Sequence, residues 1–147
     1  MSQFLQATLY GLLQGSMFGL IAVGFSLVWG VMHIVNLSHG AFVLLGAYLA
    51  WQLNVTFGLD PFLGMLPAGL ALFALGYVLQ RGLINLVVNA PIFITLLLTF
   101  GLELLLVNGL ILVFTADYRA IPTSYAGDSL VLPGDVRLPV GRLLAAV

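Results

Sequence analysis

A polar segment within the apolar amino-terminal part of the chain carries the side chains best suited to chemistry. The segment, Met32 to Gly40, contains two histidines, an asparagine and a serine, yet the first 59 residues contain no Asp, Glu, Lys or Arg. With so little charge nearby, lipid or other protein must surround it. Buried polar groups need partners, and irregular backbone at membrane depth persists only against protein or a water-filled cavity. We therefore expect this segment to be functional.

Two interpretations of Asn36, Ser38, His39 and Gly40 remain open. In the first, the segment breaks one helix from the next, and its polar side chains line or gate a translocation path. In the second, they end and begin helices: Ser38 accepts hydrogen bonds from backbone N–H groups two or three residues later, and Gly40 relaxes the backbone. The two interpretations are compatible with each other.

Metal, cofactor and nucleophile chemistry find no support in the residue types. His33 and His39 are six residues apart, with no cysteine in the chain and no carboxylate nearby, so we predict no metal site. The Ser38-His39 pair lacks the G-x-S-x-G turn of a nucleophile elbow. The absence of lysine excludes a P-loop and Schiff-base chemistry. We predict no catalytic residue and no cofactor, and hence a protein that is not itself an enzyme.

Composition places these side chains in an integral membrane protein. The chain of 147 residues is 62% hydrophobic and only 6% charged, with a mean hydropathy of +1.18. Soluble domains carry about 25% charged residues, and a soluble fold could not cover its surface with so few. The formal net charge of -1 argues against a nucleic-acid partner, which requires a basic patch.

The elements that position the polar segment are expected to be membrane-spanning helices. A spanning helix needs about 20 mostly apolar residues. The sequence predicts an all-α bundle, a single transmembrane domain over 1–147, with crossings at about 4–32, 38–53, 62–80 and 92–115. Residues 54–61 are expected to form a turn and residues 81–91 a polar connection, because both contain breakers or polar residues.

The character of the sequence changes after Thr115. The stretch from Asp117 to Pro139 holds three Asp, two Arg and three Pro, together with short β-like pieces such as Ser129–Leu132. It predicts an extramembrane loop at about 116–139, with a small hairpin in it. Val140 to Val147 has the character of the start of a fifth helix, which leads us to expect that the domain is incomplete.

Small residues form a stripe along the first predicted helix. They recur at steps of three or four residues, which places them on about a third of the helix circumference. Such stripes let helix backbones approach closely. We therefore predict helix packing, rather than a pore lining, for Gly11, Gly15, Gly19, Ala22, Ser26 and Gly30.

Glu103 is the only acidic residue inside a predicted crossing. A charge at the centre of a bilayer costs about 2.5–3.5 kcal/mol on insertion scales, so the side chain should face protein, water or a partner. It could contact a substrate in the path or form an ion pair across the bundle. It could equally be a carboxyl group hydrogen-bonded between helices, and we favour that interpretation.

The polar segment and its flanks resemble a known family. The stretches that carry the resemblance are GSMFGLIAVG from Gly15, WGVM from Trp29, IVNLSHGAF from Ile34, LGAY from Leu45, LLLTFGL from Leu96 and FTADYR from Phe114. Together they resemble the amino-terminal half of the membrane permease of branched-chain amino-acid ABC importers, over essentially the whole chain. Ala41 differs from the acidic residue of many relatives, and Arg81 stands alone where relatives are more basic, so a role for charge at these positions is not expected.

The resemblance implies a permease subunit in a bacterial cytoplasmic (inner) membrane that moves branched-chain amino acids. It also implies a second permease subunit, cytoplasmic ATP-binding subunits that hydrolyse ATP, and an external substrate-binding protein. Arg81 would then lie inside and the loop after Thr115 outside, whereas counting Lys and Arg alone gives the reverse. The alternatives are a urea or short-amide permease of the same class, an ion-coupled carrier or channel that uses Glu103, and a membrane scaffold.

Overall fold

The computed structural model describes residues 2–117, 119–121, 129–132 and 136–139. Within them the structure contains five α-helices and two β-strands. The helices are α1 (Ser2–Met32), α2 (His39–Phe57), α3 (Pro61–Leu79), α4 (Asn85–Val87) and α5 (Ile92–Phe114), and the strands are β1 (Ser129–Leu132) and β2 (Val136–Pro139). A π-helical segment, Gln80–Ile84, joins α3 to α4 without a break in the helix.

Four helical stretches of the described residues are long and apolar enough to cross a membrane. They are Gln3–Met32, His39–Phe57, Pro61–Val87 and Ile92–Phe114. Large apolar side chains point outward from them, as with Leu20 at 79% and Leu112 at 85% exposed. Only lipid or other protein can cover such surfaces at low cost. The predicted class, a polytopic bundle of membrane-spanning helices, is therefore confirmed.

The chain divides into two compact units, Met1–Gly24 with Pro122–Val147, and Phe25–Ile121. In the first unit, β1 and β2 pair antiparallel, with Ser129 opposite Pro139 and Leu132 opposite Val136. The β-like character of Ser129–Leu132 is thus confirmed as a strand. The expected start of a fifth helix, Val140 to Val147, lies outside the described residues.

The second unit is built around α2, which packs against both α3 and α5. Its buried apolar side chains include Ile34, Ala41, Ala68 and Leu102, each 7% exposed or less. A Cβ placed on Gly46 of α2 would lie 3.0 Å from Cδ1 of Leu72 on α3, so the two helices are in close contact at this point.

The second helix runs four residues beyond its expected end at Leu53. Gly58 ends it in the left-handed conformation, at φ 64°, and donates its N–H to the carbonyl of Asn54. Asn54 is not a turn residue: its side-chain Nδ2 donates to the carbonyl of Leu59, 2.8 Å away, and supports the end of the helix. The turn that follows is short, because Asp60 then caps α3 by accepting from the N–H of Phe62.

The third helical stretch also continues beyond Gln80, where the sequence predicts its end. Helical structure persists to Val87, although Gln80, Arg81 and Asn85 are polar. Their side chains bond along the helix surface: Gln80 Nε2 donates to Asn85 Oδ1 at 3.0 Å, and Arg81 Nη1 donates to the Tyr77 hydroxyl at 2.9 Å. Polar residues that satisfy one another in this way lengthen a helix instead of ending it.

Candidate functional site

The predicted break between the first two crossings is present, because residues 33–38 join α1 to α2 without helical structure. His33 ends α1 in the left-handed conformation, at φ 56°, and its N–H donates to the carbonyl of Trp29 at 2.8 Å. Glycine and asparagine usually occupy such a position, and another L-residue there costs about 1–2 kcal/mol. The surrounding contacts must therefore hold the break in place.

Thr99 of α5 supplies the principal contact, since its side chain is completely buried and bonds to the backbone of the break. Its hydroxyl accepts from the N–H of Leu37 at 3.3 Å. The same hydroxyl lies 3.0 Å from the carbonyl of Val35 and 3.1 Å from that of Leu96, and can donate its single proton to either. A single side chain thus provides bonding partners for two non-helical backbone groups inside the membrane region.

Ser38 is also completely buried, but it does not cap α2 in the way the sequence suggests. Its Oγ donates to Asn36 Oδ1 at 2.6 Å, and it accepts no hydrogen bond from the first turn of the helix. That part of the capping interpretation is wrong. A capping residue typically has extended, β-region backbone angles, whereas Ser38 has φ -72° and ψ 0°.

A cavity of about 150 Å³ lies directly against the break. Its polar lining comes from the break itself and from two helical stretches, which contribute Gln80 and Thr99, with apolar residues between. The lining includes Met32, Ile34, Asn36, Ser38, Phe42, Gln80, Ile84 and Thr99. Thr99 lies seven residues after Ile92, or about 10 Å along α5, so the cavity is within the apolar layer and nearer the end that carries residues 80–91.

The amide nitrogen of Asn36 is the side-chain group best placed to act in this cavity. Ser38 occupies Asn36 Oδ1, while Nδ2 makes no hydrogen bond to any residue that the structure describes. Gln80 similarly uses its nitrogen toward Asn85. The lining can therefore offer a donor at Asn36 and an acceptor at Gln80 Oε1 to water or to a polar solute.

The other predicted path residues lie outside the cavity lining. His39 begins α2, and its ring packs edge-on against Phe25 with centroids 5.9 Å apart. Gly40 is exposed, and a Cβ built on it would meet nothing within 4 Å in the described part of the chain. Glu103 is half-buried on α5, at the edge of its buried stripe, and makes no hydrogen bond or ion pair with the described residues.

The small-residue stripe of α1 has no packing partner in the part of the chain that the structure describes. Added Cβ atoms on Gly11, Gly15, Gly19 and Gly30 would each meet nothing within 4 Å beyond the helix's own backbone. The packing role of the stripe, with Ala22 and Ser26, remains a prediction. Among the described residues, no group of three or more His, Cys, Asp or Glu could hold a metal ion.

The sequence did not single out Thr99 or Gln80 as site residues. One signal for Thr99 was present: two threonines four residues apart, Thr95 and Thr99, interrupt a strongly apolar crossing, and both are buried in the structure. Polar residues inside a crossing face the bundle interior or a cavity. Gln80 was not singled out because the sequence places it at the end of a crossing. A polar residue at the membrane edge can be solvated by water, so nothing indicated that it lines a cavity.

Comparison with known proteins identifies relatives of one kind. The sequence profile of a family described as "Branched-chain amino acid transport system / permease component" matches residues 7–129. The high-affinity branched-chain amino acid transport system permease protein BraD of Pseudomonas aeruginosa is 30% identical over 133 residues, which cover 85% of this chain and 43% of BraD.

The permease proteins LivH of Salmonella typhimurium and Escherichia coli, with the same description, are each 26% identical over 136 residues, covering 87% of this chain and 44% of the relative. The chain therefore spans less than half the length of these curated relatives. No solved structure matches it.

Proposed function

The chain belongs to the family of branched-chain amino acid transport permease components, and we propose that it forms part of the passage of an ABC importer for these amino acids. It is a multi-pass membrane protein, and the bacterial relatives imply the cytoplasmic (inner) membrane. In this proposal partner ATPase subunits hydrolyse ATP, a second permease subunit completes the passage, and an external binding protein delivers the substrate. The chain itself makes and breaks no bonds.

The cavity at the break between α1 and α2 is the observation that supports a passage. The polar residues Asn36 and Gln80 line it, while the hydroxyl of Thr99 bonds to backbone groups that the break leaves without helical partners. Non-helical backbone inside the membrane region is tolerated where it lines a cavity or is buried in protein, and here both conditions are met. We propose that the cavity forms the part of the translocation path that lies nearest residues 80–91.

The break can change shape more easily than a continuous helix. Residues 34–37 make no i→i−4 helical backbone hydrogen bond, and the adjacent His33 already has strained backbone angles. We propose that alternating access tilts α1 relative to α2 about this break, and that Asn36 gates the cavity as it does so. The small-residue stripe of α1, with Gly15 and Gly19, would supply the close helix contact that such tilting requires.

Uptake measurements test this proposal. Deleting the gene should abolish ATP-dependent uptake of radiolabelled leucine by cells, and restoring it should recover uptake. Unchanged leucine uptake together with lost uptake of labelled urea or a short amide would favour the alternative permease of the same class. Co-purification of an ATPase subunit from native membranes distinguishes an ABC importer from an ion-coupled carrier.

Glu103 separates the same two mechanisms. A carrier that couples transport to ions through Glu103 should lose uptake in Glu103→Gln and be insensitive to ATP depletion. We expect the opposite on both counts, because Glu103 does not line the cavity. The comparisons give no support to the carrier alternative.

A further inference from the structure

A second pocket in the unit Phe25–Ile121 lies at the opposite end of α5 from the cavity, and we call it the aromatic pocket. Its volume is about 310 Å³, at the lower end of the range of about 300–1,000 Å³ typical of small-molecule sites. Leu44, Ala47, Tyr48 and Trp51 of α2 form one wall, and the chain that follows α5 forms the other with Asp117 and Arg119.

The turn after α5 sets the position of Asp117. Thr115 ends the helix at φ 66°, an uncommon angle for a β-branched residue, while its N–H still donates to the carbonyl of Ile111 at 2.9 Å. Its hydroxyl lies 2.6 Å from Asp117 Oδ2 and 2.5 Å from the carbonyl of Phe114, and can donate its single proton to either. This contact involves one carboxylate oxygen of Asp117, and the other, Oδ1, has no hydrogen bond in the described part of the chain.

An aromatic stack fixes Arg119. The guanidinium carbon lies 4.6 Å from the centroid of the Trp51 ring, and Nη2 donates to the carbonyl of Phe114 at 2.9 Å. Phe114 itself stacks on Tyr48, with ring centroids 4.7 Å apart. These contacts use the face of the guanidinium and one of its donors, and leave its other N–H groups for a ligand.

The pocket thus presents one carboxylate, one guanidinium and an apolar wall in the same small volume. The two charged groups are each held by neutral partners, and among the described residues they form no ion pair with each other. A ligand with an ammonium group, a carboxylate and an aliphatic side chain would satisfy all three features at once, since charge-assisted hydrogen bonds are the strongest type available here.

We propose that the aromatic pocket binds a zwitterionic aliphatic amino acid, with its ammonium group at Asp117, its carboxylate at Arg119 and its side chain against Leu44 and Ala47. This inference deepens the proposed function and rests on it: the site would hold the substrate at the far end of the path from the cavity. The headgroup of a zwitterionic lipid shares the ammonium and the anion, and the test must separate it from an amino acid.

The test is leucine binding to the protein reconstituted in phosphatidylglycerol nanodiscs, whose lipid has no ammonium group, measured by scintillation proximity without ATP or partner subunits. The chain has two tryptophans, so Trp29→Phe leaves Trp51 as its fluorescent reporter. We expect saturable leucine binding that changes Trp51 emission. Isocaproate, which lacks the ammonium group, and isoamylamine, which lacks the carboxylate, should each bind at least about tenfold more weakly.

Two variants and two matched controls complete the test. Asp117→Asn and Arg119→Gln should each raise the leucine Kd at least about tenfold. Asp60→Asn neutralises a carboxylate outside the pocket, and asparagine can still cap α3 as Asp60 does. Arg81→Gln removes an arginine that likewise lies over an aromatic ring, 5.6 Å from the centroid of Tyr77. Both controls should bind leucine as the parent does.

The assignment would be overturned if the Asp117 and Arg119 variants bound leucine as tightly as the parent protein does. It would also be overturned if both truncated analogues bound as tightly as leucine. Binding of phosphoethanolamine, the headgroup probe, in place of leucine with the same dependence on Asp117 and Arg119 would overturn it as well. The binding assay requires no transport, so a negative result there can be told apart from a failure of the proposed function. Normal leucine uptake by cells together with no leucine binding at the pocket would reject the binding site and leave the proposed function standing.

Discussion

Removing the Thr99 hydroxyl should loosen the break between α1 and α2 while the helices remain intact. The substitution Thr99→Val keeps the shape of the side chain and removes only the polar atom. The N–H of Leu37 and the carbonyl of Val35 then lose a bonding partner in a region where water is scarce. Thr95→Val is the matched control, because Thr95 is also buried in α5 but, within the described part of the chain, bonds only to the carbonyl of Ile92 in its own helix.

The expected cost follows from the geometry of these bonds. A buried backbone group left without a partner costs about 1–3 kcal/mol, whereas polar contacts between membrane helices average about 0.6 kcal/mol and reach about 1.7. The bond from Leu37 is long, at 3.3 Å, and the hydroxyl proton is shared between two carbonyls, so the lower part of the first range applies. We expect about 1.5 kcal/mol more for Thr99→Val than for Thr95→Val, or about a tenfold change in local opening.

Amide hydrogen exchange of the protein in nanodiscs measures this directly, followed by mass spectrometry of peptides that cover residues 33–38. Thr99→Val should speed exchange in these peptides about tenfold, and Thr99→Ser, which keeps the hydroxyl, should leave it close to the parent rate. If Thr99→Val and Thr95→Val exchange at the same rate, Thr99 does not hold the break and the reasoning fails.

Substitutions that test three further features, at Ser38, His33 and Gly46, are compared by the free energy of unfolding in SDS titrations. Ser38→Ala should cost about 0.5–1.5 kcal/mol through its lost bond to Asn36, yet leave exchange in the first turn of α2 unchanged; faster exchange there would show that Ser38 caps the helix after all. His33→Gly should stabilise the protein by about 1 kcal/mol, because glycine adopts the left-handed backbone angles of this position without strain. His33→Val should destabilise it, and equal effects of the two substitutions would show that the position is not strained. Gly46→Ala brings a Cβ within 3.0 Å of Leu72, so a double-mutant cycle with Leu72→Ala should show coupling of at least about 0.5 kcal/mol, where strict additivity would rule out the close contact.

The membrane class, the four crossings and the break could be predicted from the sequence because each depends on local composition. An apolar stretch of sufficient length must be a helix in lipid, and the polar residues from His33 to Ser38 have no periodic pattern that could continue one. Helix ends were harder to predict. Asn54 and Gln80 both read as polar breakers, yet each bonds to a nearby residue and extends the helix instead.

The partners of the break could not be predicted, because they come from distant parts of the chain. Thr99 reaches Leu37 across 62 residues of sequence, and Gln80 joins the same cavity from a third helix. Nothing in the pattern of an apolar crossing shows which neighbour a single threonine will meet. The partner of the Ser38 hydroxyl is a similar case, since a serine before a helix suits a cap, yet in the structure Ser38 lacks the extended angles of a cap and bonds to Asn36.

The structure also separates the two interpretations of the polar segment by assigning its groups to different tasks. The backbone of the break is satisfied by Thr99, and the Ser38 hydroxyl is satisfied by Asn36. Structural requirements therefore account for the serine and for the oxygen of the asparagine, but not for the NH₂ group of this cavity-lining asparagine, which has no hydrogen-bond partner among the described residues. The additional donor that asparagine provides is the feature that a passage for carboxylate-bearing solutes would use, and this makes Asn36, rather than the adjacent serine or histidine, the residue on which the transport interpretation depends.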